Sequence, residues 1–556
     1  MSEDVHARPS RGPGQRSDAP GHGQATQALC QQVHASTVIL ALSCATGFTS
    51  GISPTGISSR PDHLPWQTSS QSRPSAGRFR KLRTREAAEH LVEEGRSALL
   101  QFRLNEAERV FKALNRMPGS GAAAYHHLAL SSMLKLLMTD VPAYYDEFYR
   151  RADSLQLALR EVDEPWRTYL DAENQLQRMI VYAKQGSNVK AAFAAKGAYG
   201  RFRNVVKRFP SFYEAYKGMG LLHLSIGSLP STYRRILGLL GFSGEVEQGL
   251  RELRLAAEKS AYNREEAHVL LALVNGVMYD QPEQAVPPLR TLYEQNNQSP
   301  LFAFFYGFML LKTRDAAEAE RVLSSAVRKD ERAGYFFLDY NEHHLAEAHF
   351  KQNEFVQAEE HYKRYLSRHK GPALKAPTYL GLGLSLEMQN RRAEALKQYA
   401  MVKSTRGMDT DDAAEREAKR RMARPMTEPE RQLLLASNAF GSGDYSGTER
   451  ILRALWDSDS ITEGERAETA YRLGRLYEAQ QKYDEAIAAY ELAIEHAQDP
   501  NARWAPWANF YIAQIYADQG RRQEAARAYK AALEYKGKYD YYQALEQSAK
   551  AGLKKL

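Results

Sequence analysis

The chain has 556 residues, of which 43% are hydrophobic and 26% are charged, a composition typical of a soluble protein with a core. Its formal net charge of +8 comes from 75 basic and 67 acidic residues, so both signs are abundant and no basic stripe indicates a nucleic-acid partner. Both cysteines, Cys30 and Cys44, precede the region of helical periodicity, which excludes a cysteine zinc site and a thiol nucleophile from the folded body.

Residues 1–85 are rich in Pro, Gly, Ser and Arg and are predicted to be disordered. They contain one apolar run, STVILALSCATGF (36–48), which is too short to span a bilayer but has the length of a signal-peptide core. The run begins more than thirty residues into the chain and its flank lacks Lys or Arg, which argues against a signal peptide. Two alternatives stay open: export to the periplasm or envelope, or a cytoplasmic protein with a disordered tail.

The next region, 86–265, is predicted to hold irregular helical repeats. Its least regular segment is SLPSTYRRILGLLGFSGEVEQGL (228–250), which lacks the spacing of a phosphate loop and is too short to span a membrane. We interpret it as a joint between helices, in which Ser243 caps the following helix. The alternative is a short interfacial helix, in which Arg234 and Arg235 reach lipid headgroups and Phe242 contacts lipid or a partner.

A regular repeat begins after this region and covers 266–403 and 429–556, the latter ending in a capping helix. In five units, a small residue in a first helix precedes an alanine in a second helix by twelve positions. The pairs are Gly307–Ala319, Ala346–Ala358, Gly383–Ala395, Gly474–Ala486 and Ala513–Ala525. Small residues at a constant spacing indicate two helices in close contact, with aromatic residues filling the space between successive pairs.

The repeat is interrupted by the densely charged insertion STRGMDTDDAAEREAKRRMARPMTE (404–428). The sequence leaves open whether it forms a surface helix or a mobile loop. No alternating strand pattern appears in the body of the chain. The predicted fold is therefore all-α, a right-handed α-solenoid of antiparallel helix pairs.

The repeats resemble the tetratricopeptide repeat (TPR), with a large-small-x-x-aromatic motif in one helix and Ala-x-x-x-aromatic in the next. Within 228–250, the segments Leu229-Pro230, 241–244 (Gly-Phe-Ser-Gly) and Gly249-Leu250 are similar to those of the tetratricopeptide repeat protein 39 and inclusion-body clearance family. Ser231 and Glu245 depart from that pattern. The resemblance implies a non-catalytic scaffold or adaptor, and it names no partner.

No catalytic constellation and no cofactor site is predicted. The chain lacks the zinc-protease spacing His-Glu-x-x-His and the Gly-x-Ser-x-Gly nucleophile turn. Its histidine groups, His126-His127, His343-His344, His349 and His361, are predicted to be packing or surface residues rather than metal ligands.

The remaining candidate site is the concave face of the solenoid. Residues two before and one after the large-small pair are predicted to line it: Tyr471 and Arg475 in one repeat, Phe510 and Gln514 in the next. Aromatic residues and arginines often anchor protein interfaces, whereas the Lys and Asn set of chaperone-binding repeats is missing. The leading hypothesis is a non-enzymatic scaffold that binds protein or peptide partners on this face. The alternative is a peripheral membrane or envelope-assembly component that touches lipid through 228–244.

Overall fold

The computed structural model describes residues 76–229, 234–235, 238, 241–279, 281–296, 298–329, 334–404, 409–499, 501–536 and 539–556. Within these ranges the chain is all-α and contains 24 α-helices and no strand. Successive helices pack in antiparallel pairs, and the pairs stack into a right-handed TPR-type solenoid, which confirms the predicted fold. The apolar run 36–48 lies outside the described residues.

The N-terminal part contains helices α1 to α10. They are α1 (Ala76–Leu100), α2 (Leu104–Leu114), α3 (Gly121–Thr139), α4 (Ala143–Ala158), α5 (Trp166–Lys184), α6 (Asn188–Arg208), α7 (Glu214–Gly227), α8 (Val246–Lys259), α9 (Arg264–Leu273) and α10 (Pro282–Gln295).

The remaining helices follow the regular repeat more closely. They are α11 (Pro300–Lys312), α12 (Ala316–Val327), α13 (Asp339–Lys351), α14 (Phe355–Arg368), α15 (Lys375–Met388), α16 (Arg392–Tyr399), α17 (Asp409–Ala423), α18 (Glu428–Ser442), α19 (Tyr445–Trp456), α20 (Glu463–Ala479), α21 (Tyr483–His496), α22 (Trp504–Asp518), α23 (Arg522–Glu534) and the capping helix α24 (Tyr542–Lys555).

Where the small residue of the first helix is glycine, it sits directly against a large side chain sixteen positions later. A Cβ atom added to Gly474 would lie 2.5 Å from the ring of Tyr490, and one added to Gly383 would lie 2.4 Å from the ring of Tyr399. The twelve-residue spacing therefore reflects contact between the two helices of a pair. Only glycine or alanine occupies this position in the five units, and a larger side chain would push the helices apart.

The segment that resembles the tetratricopeptide repeat protein 39 family forms a close helix crossing. A Cβ atom added to Gly249 of α8 would lie 2.6 Å from the carbonyl oxygen of Gly220 in α7, so only glycine fits there. Ser243 does not cap α8, as the sequence suggested, because Glu245 occupies the N-cap position. The Ser243 hydroxyl instead lies 2.9 Å from the Tyr199 hydroxyl, which joins this segment to α6.

The charged insertion contains a packed helix, α17. Ala414 and Ala418 are buried among the side chains of α13 to α16. Arg416 Nε lies 2.6 Å from Asp540 Oδ1, which ties the helix to the start of the capping region. The sequence showed the charges of this helix but not the two alanines that anchor it.

The N-terminal repeats curve back onto the middle of the chain. The backbone N–H of Phe336 donates to the carbonyl oxygen of Phe102 at 2.8 Å, and the two rings meet edge to face at 5.7 Å. The guanidinium of Arg96 also donates to the carbonyl oxygen of Tyr262 at 3.3 Å. These contacts join α1 to the segment before α9, and the residues after α1 to the segment before α13.

A cluster of buried charges lies among the N-terminal helices. Lys217 Nζ lies 3.0 Å from Glu173 Oε2 and 2.6 Å from Glu266 Oε2, and all three side chains are buried. Because burial is only partly offset by Lys217, the pKa of Glu266 is raised above its ordinary value. The cavity beside this cluster has a volume of only ≈ 40 Å³, so the N-terminal helices leave no open groove there.

In the described part of the chain, no helix is both long enough and apolar enough to cross a membrane.

Candidate partner-binding groove

The C-terminal repeats enclose an open groove with a cavity volume of ≈ 250 Å³. Helices α18, α19, α20 and α22 supply its walls. The groove residues are Ala436, Ser437, Phe440, Thr448, Tyr471, Arg472, Arg475, Arg503 and Tyr511. The groove therefore combines aromatic rings with three arginines, a composition common at protein interfaces.

Helix register explains which side chains face the groove. In α20, the large-small pair is Leu473-Gly474, which packs inward against α21. Tyr471 and Arg472, just before this pair, and Arg475, just after it, point to the concave side. Residues three and four apart share a face of a helix, so one stripe of α20 forms the floor of the groove.

Arg475 is held against an aromatic ring. Its guanidinium carbon lies 3.8 Å from the centroid of the Tyr511 ring, within cation–π range. Its Nη1 atom lies 3.4 Å from Glu478 Oε2, which also accepts a 2.5 Å hydrogen bond from the Tyr490 hydroxyl. Burial lowers the pKa of Arg475, but the neighbouring Tyr511 and Glu478 outweigh it, so the pKa is raised and the side chain stays charged.

Arg472 is neutralised within its own helix. Its Nε and Nη2 atoms donate to Glu468 Oε1 at 2.8 and 2.5 Å. The pair is one helical turn apart, which is a favourable spacing for an ion pair on a helix surface. Arg472 therefore contributes shape and hydrogen-bond donors to the groove more than net charge.

Arg503 differs from the other two arginines because, within the described ranges, no carboxylate lies within ion-pair distance of it. Burial lowers its pKa, but Tyr471, Tyr541 and the more distant Glu468 and Asp540 outweigh burial and raise the pKa. Its guanidinium carbon lies 4.8 Å from the Trp504 ring centroid and 5.6 Å from that of Tyr541. The side chain is half-buried and borders the cavity. The guanidinium is thus partly removed from water with no direct salt bridge in the described part of the chain.

The opposite wall belongs to the junction between the middle and C-terminal repeats. The Arg314 guanidinium lies 4.4 Å from the Phe440 ring centroid. Nearby, Asn438 Nδ2 donates to Asn353 Oδ1 at 2.9 Å, which links α18 to the loop after α13. The groove wall is thus fixed to the preceding repeats.

The predicted concave residues separate into two groups. Tyr471 and Arg475 both line the groove. Phe510 is buried instead, with its ring 5.8 Å from that of Tyr529 and 5.4 Å from that of Trp507. Gln514 is half-buried and lies outside the cavity lining.

The structure describes the three named residues of the predicted lipid contact, Arg234, Arg235 and Phe242. Arg234 and Arg235 are exposed. Phe242 is half-buried, and its ring lies 5.3 Å from that of Tyr199 in α6. The apolar member of this group is therefore engaged within the protein, while its two charges face solvent.

Sequence reasoning missed Arg472, Arg503 and Tyr511. Arg472 and Tyr511 occupy the same register, immediately before the large residue of the pair, so a comparison of the two repeats at that position would have found both. Arg503 precedes the first turn of α22, where the repeat motif has no fixed residue. Only the structure brings it to the groove.

The family comparisons match three parts of the chain. Residues 214–361 match the model described as Iml2/Tetratricopeptide repeat protein 39. Residues 344–407 and 465–537 match two models described as tetratricopeptide repeat. These matches confirm the predicted repeats and the predicted resemblance, and they support a helical-repeat scaffold for protein interaction, a class that is typically non-catalytic. No curated protein sequence matches the chain.

Solved structures with similarity to the chain are helical-repeat proteins of low sequence identity. The human IFIT1 dimer with m7Gppp-AAAA is 14% identical, with 84% of this chain and 99% of that chain covered and a TM-score of 0.30. The Cut9–Hcn1 hetero-tetramer is 18% identical, with coverage of 84% and 96% and a TM-score of 0.23. The P58(IPK) TPR domain is 15% identical, with coverage of 84% and 99% and a TM-score of 0.19. No ligand or partner of these proteins is transferred to this chain.

Proposed function

We propose that this tetratricopeptide-repeat protein, which resembles the Iml2/Tetratricopeptide repeat protein 39 family, is a scaffold. Its C-terminal groove binds an acidic segment of a partner protein. The observation that carries this proposal is Arg503, a half-buried cation beside Trp504 with no carboxylate within ion-pair distance in the described part of the chain. A partner Asp or Glu would complete the ion pair that the fold leaves open.

Aromatic residues support the same proposal. The rings of Tyr471 and Trp504 lie 5.2 Å apart, and those of Tyr471 and Tyr511 lie 6.2 Å apart, so they form a continuous aromatic surface next to the arginines. Such a surface offers large contact area for an apolar side chain adjacent to the acidic one. The preferred ligand is thus a short segment with a carboxylate next to an aromatic or aliphatic residue.

The cavity volume limits the size of the ligand. A space of ≈ 250 Å³ accommodates one or two side chains rather than a folded domain. Because affinity depends on a few buried anchors more than on area, two such side chains would provide the specificity of a larger interface.

Peptide display on the full-length chain tests the proposal. We expect the selected peptides to be enriched in Asp or Glu next to an aromatic residue, and to lose at least tenfold in affinity for Arg503→Met. Lys530→Met is the matched control, since that cation is exposed on α23 away from the groove. Selected peptides without acidic residues, or peptides that bind Arg503→Met as tightly as the wild type, would refute the acidic-segment proposal.

A further inference from the structure

We propose that His343, His344 and Glu347 form a binding site for a divalent transition metal ion, of the Zn²⁺ class, on the concave side of α13. One potential ligand atom from each side chain lies within 4.8 Å of the others. Two imidazoles and one carboxylate are a donor set that Zn²⁺ uses in proteins.

Register places these three residues on the concave face. The large-small pair of α13 is Leu345-Ala346, so His343, His344 and Glu347 occupy the positions that Tyr471, Arg472 and Arg475 occupy in α20. In the groove described above, those positions face the cavity. The three donors are therefore on the side of the solenoid where repeat proteins bind ligands.

The tautomer of His343 is fixed by a neighbouring repeat. The Thr378 hydroxyl donates to the carbonyl oxygen of Leu374, so its oxygen is free to accept from His343 Nδ1–H at 2.8 Å. The Nε2 atom of His343 then carries the lone pair. This outer-shell hydrogen bond is the arrangement that orients histidine ligands in metal sites.

The Glu347 carboxylate has one distant lysine neighbour. Lys351 Nζ is 4.0 Å from Glu347 Oε1, at the outer limit of an ion pair, whereas Glu347 Oε2 lies 3.3 Å from His344 Nδ1. A metal ion between His344 and Glu347 would therefore bind Oε2, which is not the carboxylate oxygen nearest to Lys351.

The spacing of two donors matches metal coordination directly. His344 Nδ1 and Glu347 Oε2 are 3.3 Å apart. Ligand atoms at about 2.0–2.1 Å from a tetrahedral zinc ion are separated by about 3.3 Å. An ion could therefore replace the hydrogen bond between these two side chains with little movement of either.

An apolar shell surrounds the donors. The ring of His344 lies 5.4 Å from Phe304 and 5.5 Å from Phe308, which occupy the concave positions of α11. On the other side, the ring of His343 lies 5.9 Å from that of Tyr362. Such a shell limits water and strengthens the attraction between a carboxylate and a metal ion. The proposal departs from the sequence-based expectation that these histidines only pack.

A second His–Glu cluster provides an internal control. Glu320, His349 and Glu354 also lie within 4.8 Å of one another. Their groups are already paired, since His349 Nδ1 is 2.6 Å from Glu354 Oε2 and Gln352 Nε2 donates to Glu320 Oε2 at 2.8 Å. The His349–Glu354 distance is shorter than the 3.3 Å between His344 Nδ1 and Glu347 Oε2, which leaves less room for a metal ion between the two side chains. This cluster is therefore the weaker candidate.

Titration of the untagged, chelator-treated full-length chain with Co²⁺ tests the site. We expect one Co²⁺ per chain with the visible absorption of low-symmetry coordination, displaced by Zn²⁺. Glu347→Gln should weaken binding by about 100-fold or more, Thr378→Val by about 10- to 100-fold, and Glu354→Gln should bind as the wild type does.

A stability measurement separates loss of ligand from loss of fold. Zn²⁺ should raise the unfolding midpoint of the wild type and of Glu354→Gln. It should leave that of Glu347→Gln unchanged, while the helical circular dichroism of all variants stays the same. Absence of stoichiometric binding in the wild type, or wild-type affinity in Glu347→Gln, would overturn the proposal.

Discussion

The Arg503→Met variant tests whether Arg503 binds a ligand or stabilises the fold. The cation–π contact with Trp504 at 4.8 Å contributes about 0.5–2 kcal/mol. Removing the guanidinium from water opposes this gain, and the methionine side chain keeps apolar contact with the ring. We therefore expect the free energy of unfolding to change by no more than about 1 kcal/mol, while binding of acidic peptides is lost.

Arg151→Met is the contrasting variant. The Arg151 guanidinium donates to both carboxylate oxygens of Glu108, at 3.1 and 2.9 Å, and its side chain is only 7% exposed. Removing one partner of a buried ion pair typically costs about 3–5 kcal/mol. The two arginine variants should thus differ by at least about 2 kcal/mol.

Hydrogen exchange followed by mass spectrometry gives the local opening free energies of α22 for Arg503→Met and of α2 and α4 for Arg151→Met. Urea unfolding followed by circular dichroism gives the global value for each. A loss of about 2 kcal/mol or more in Arg503→Met would show that Arg503 is a structural residue. The reasoning that assigns it to a partner's carboxylate would then fail.

Three further predictions follow from other parts of the molecule. Glu108→Gln should lower the free energy of unfolding by about 3 kcal/mol at pH 7. Burial raises the pKa of Glu108, but its buried cationic partners outweigh burial and lower it from 4.5 to about 2. The difference from the wild type should shrink as the pH falls from 4.5 towards 2, because this depressed carboxyl becomes protonated. Gly474→Ala should cost about 1–3 kcal/mol in urea unfolding, since the new Cβ atom would meet Tyr490 at 2.5 Å. The chain should not float with anionic liposomes at low salt, because Phe242 is engaged by Tyr199.

The predictions for Glu108 and Gly474 each have a control variant, and the flotation prediction has an outcome that would contradict it. Glu294→Gln removes an exposed ion pair and should change stability by less than about 1 kcal/mol at any pH; an equal effect in both variants would contradict the linkage argument. Gly200→Ala, where no atom lies within 4 Å of the new Cβ, should be neutral or stabilising, unlike Gly474→Ala. Flotation that is abolished by replacing Arg234 and Arg235 with alanine would favour the membrane alternative.

The repeat architecture could be predicted from the sequence because contact between two helices constrains residue size at fixed spacing. The twelve-residue spacing between a small residue and an alanine also predicts a regular repeat at the start of the fold. Gly95 precedes Ala107 by twelve positions, and a Cβ atom added to Gly95 would lie 2.5 Å from the ring of Phe111. The region 86–265 is thus regular at its first helix pair, although its later helices depart from the pattern.

The groove was harder to predict because the repeat fixes helix pairs but not their superhelical position. The same register places Tyr471 on the groove and buries Phe510, since α22 is covered by α23, α24 and the ring of Trp507. Arg503 comes from outside the motif, and Arg314 approaches Phe440 from another part of the array. Contacts of this kind depend on how repeats stack, which no single repeat encodes.

The hydrogen bond between Phe102 and Phe336 also sets an order for folding during synthesis. About 230 residues separate its partners, and at 5–20 residues per second the ribosome needs about 10–50 s to make them. Until then α1 and α2 have only their local neighbours, and the apolar surface that they later share with the middle repeats stays exposed. The newly made N-terminal helices therefore expose apolar surface for about 10–50 s, a condition that favours aggregation of an incompletely folded chain.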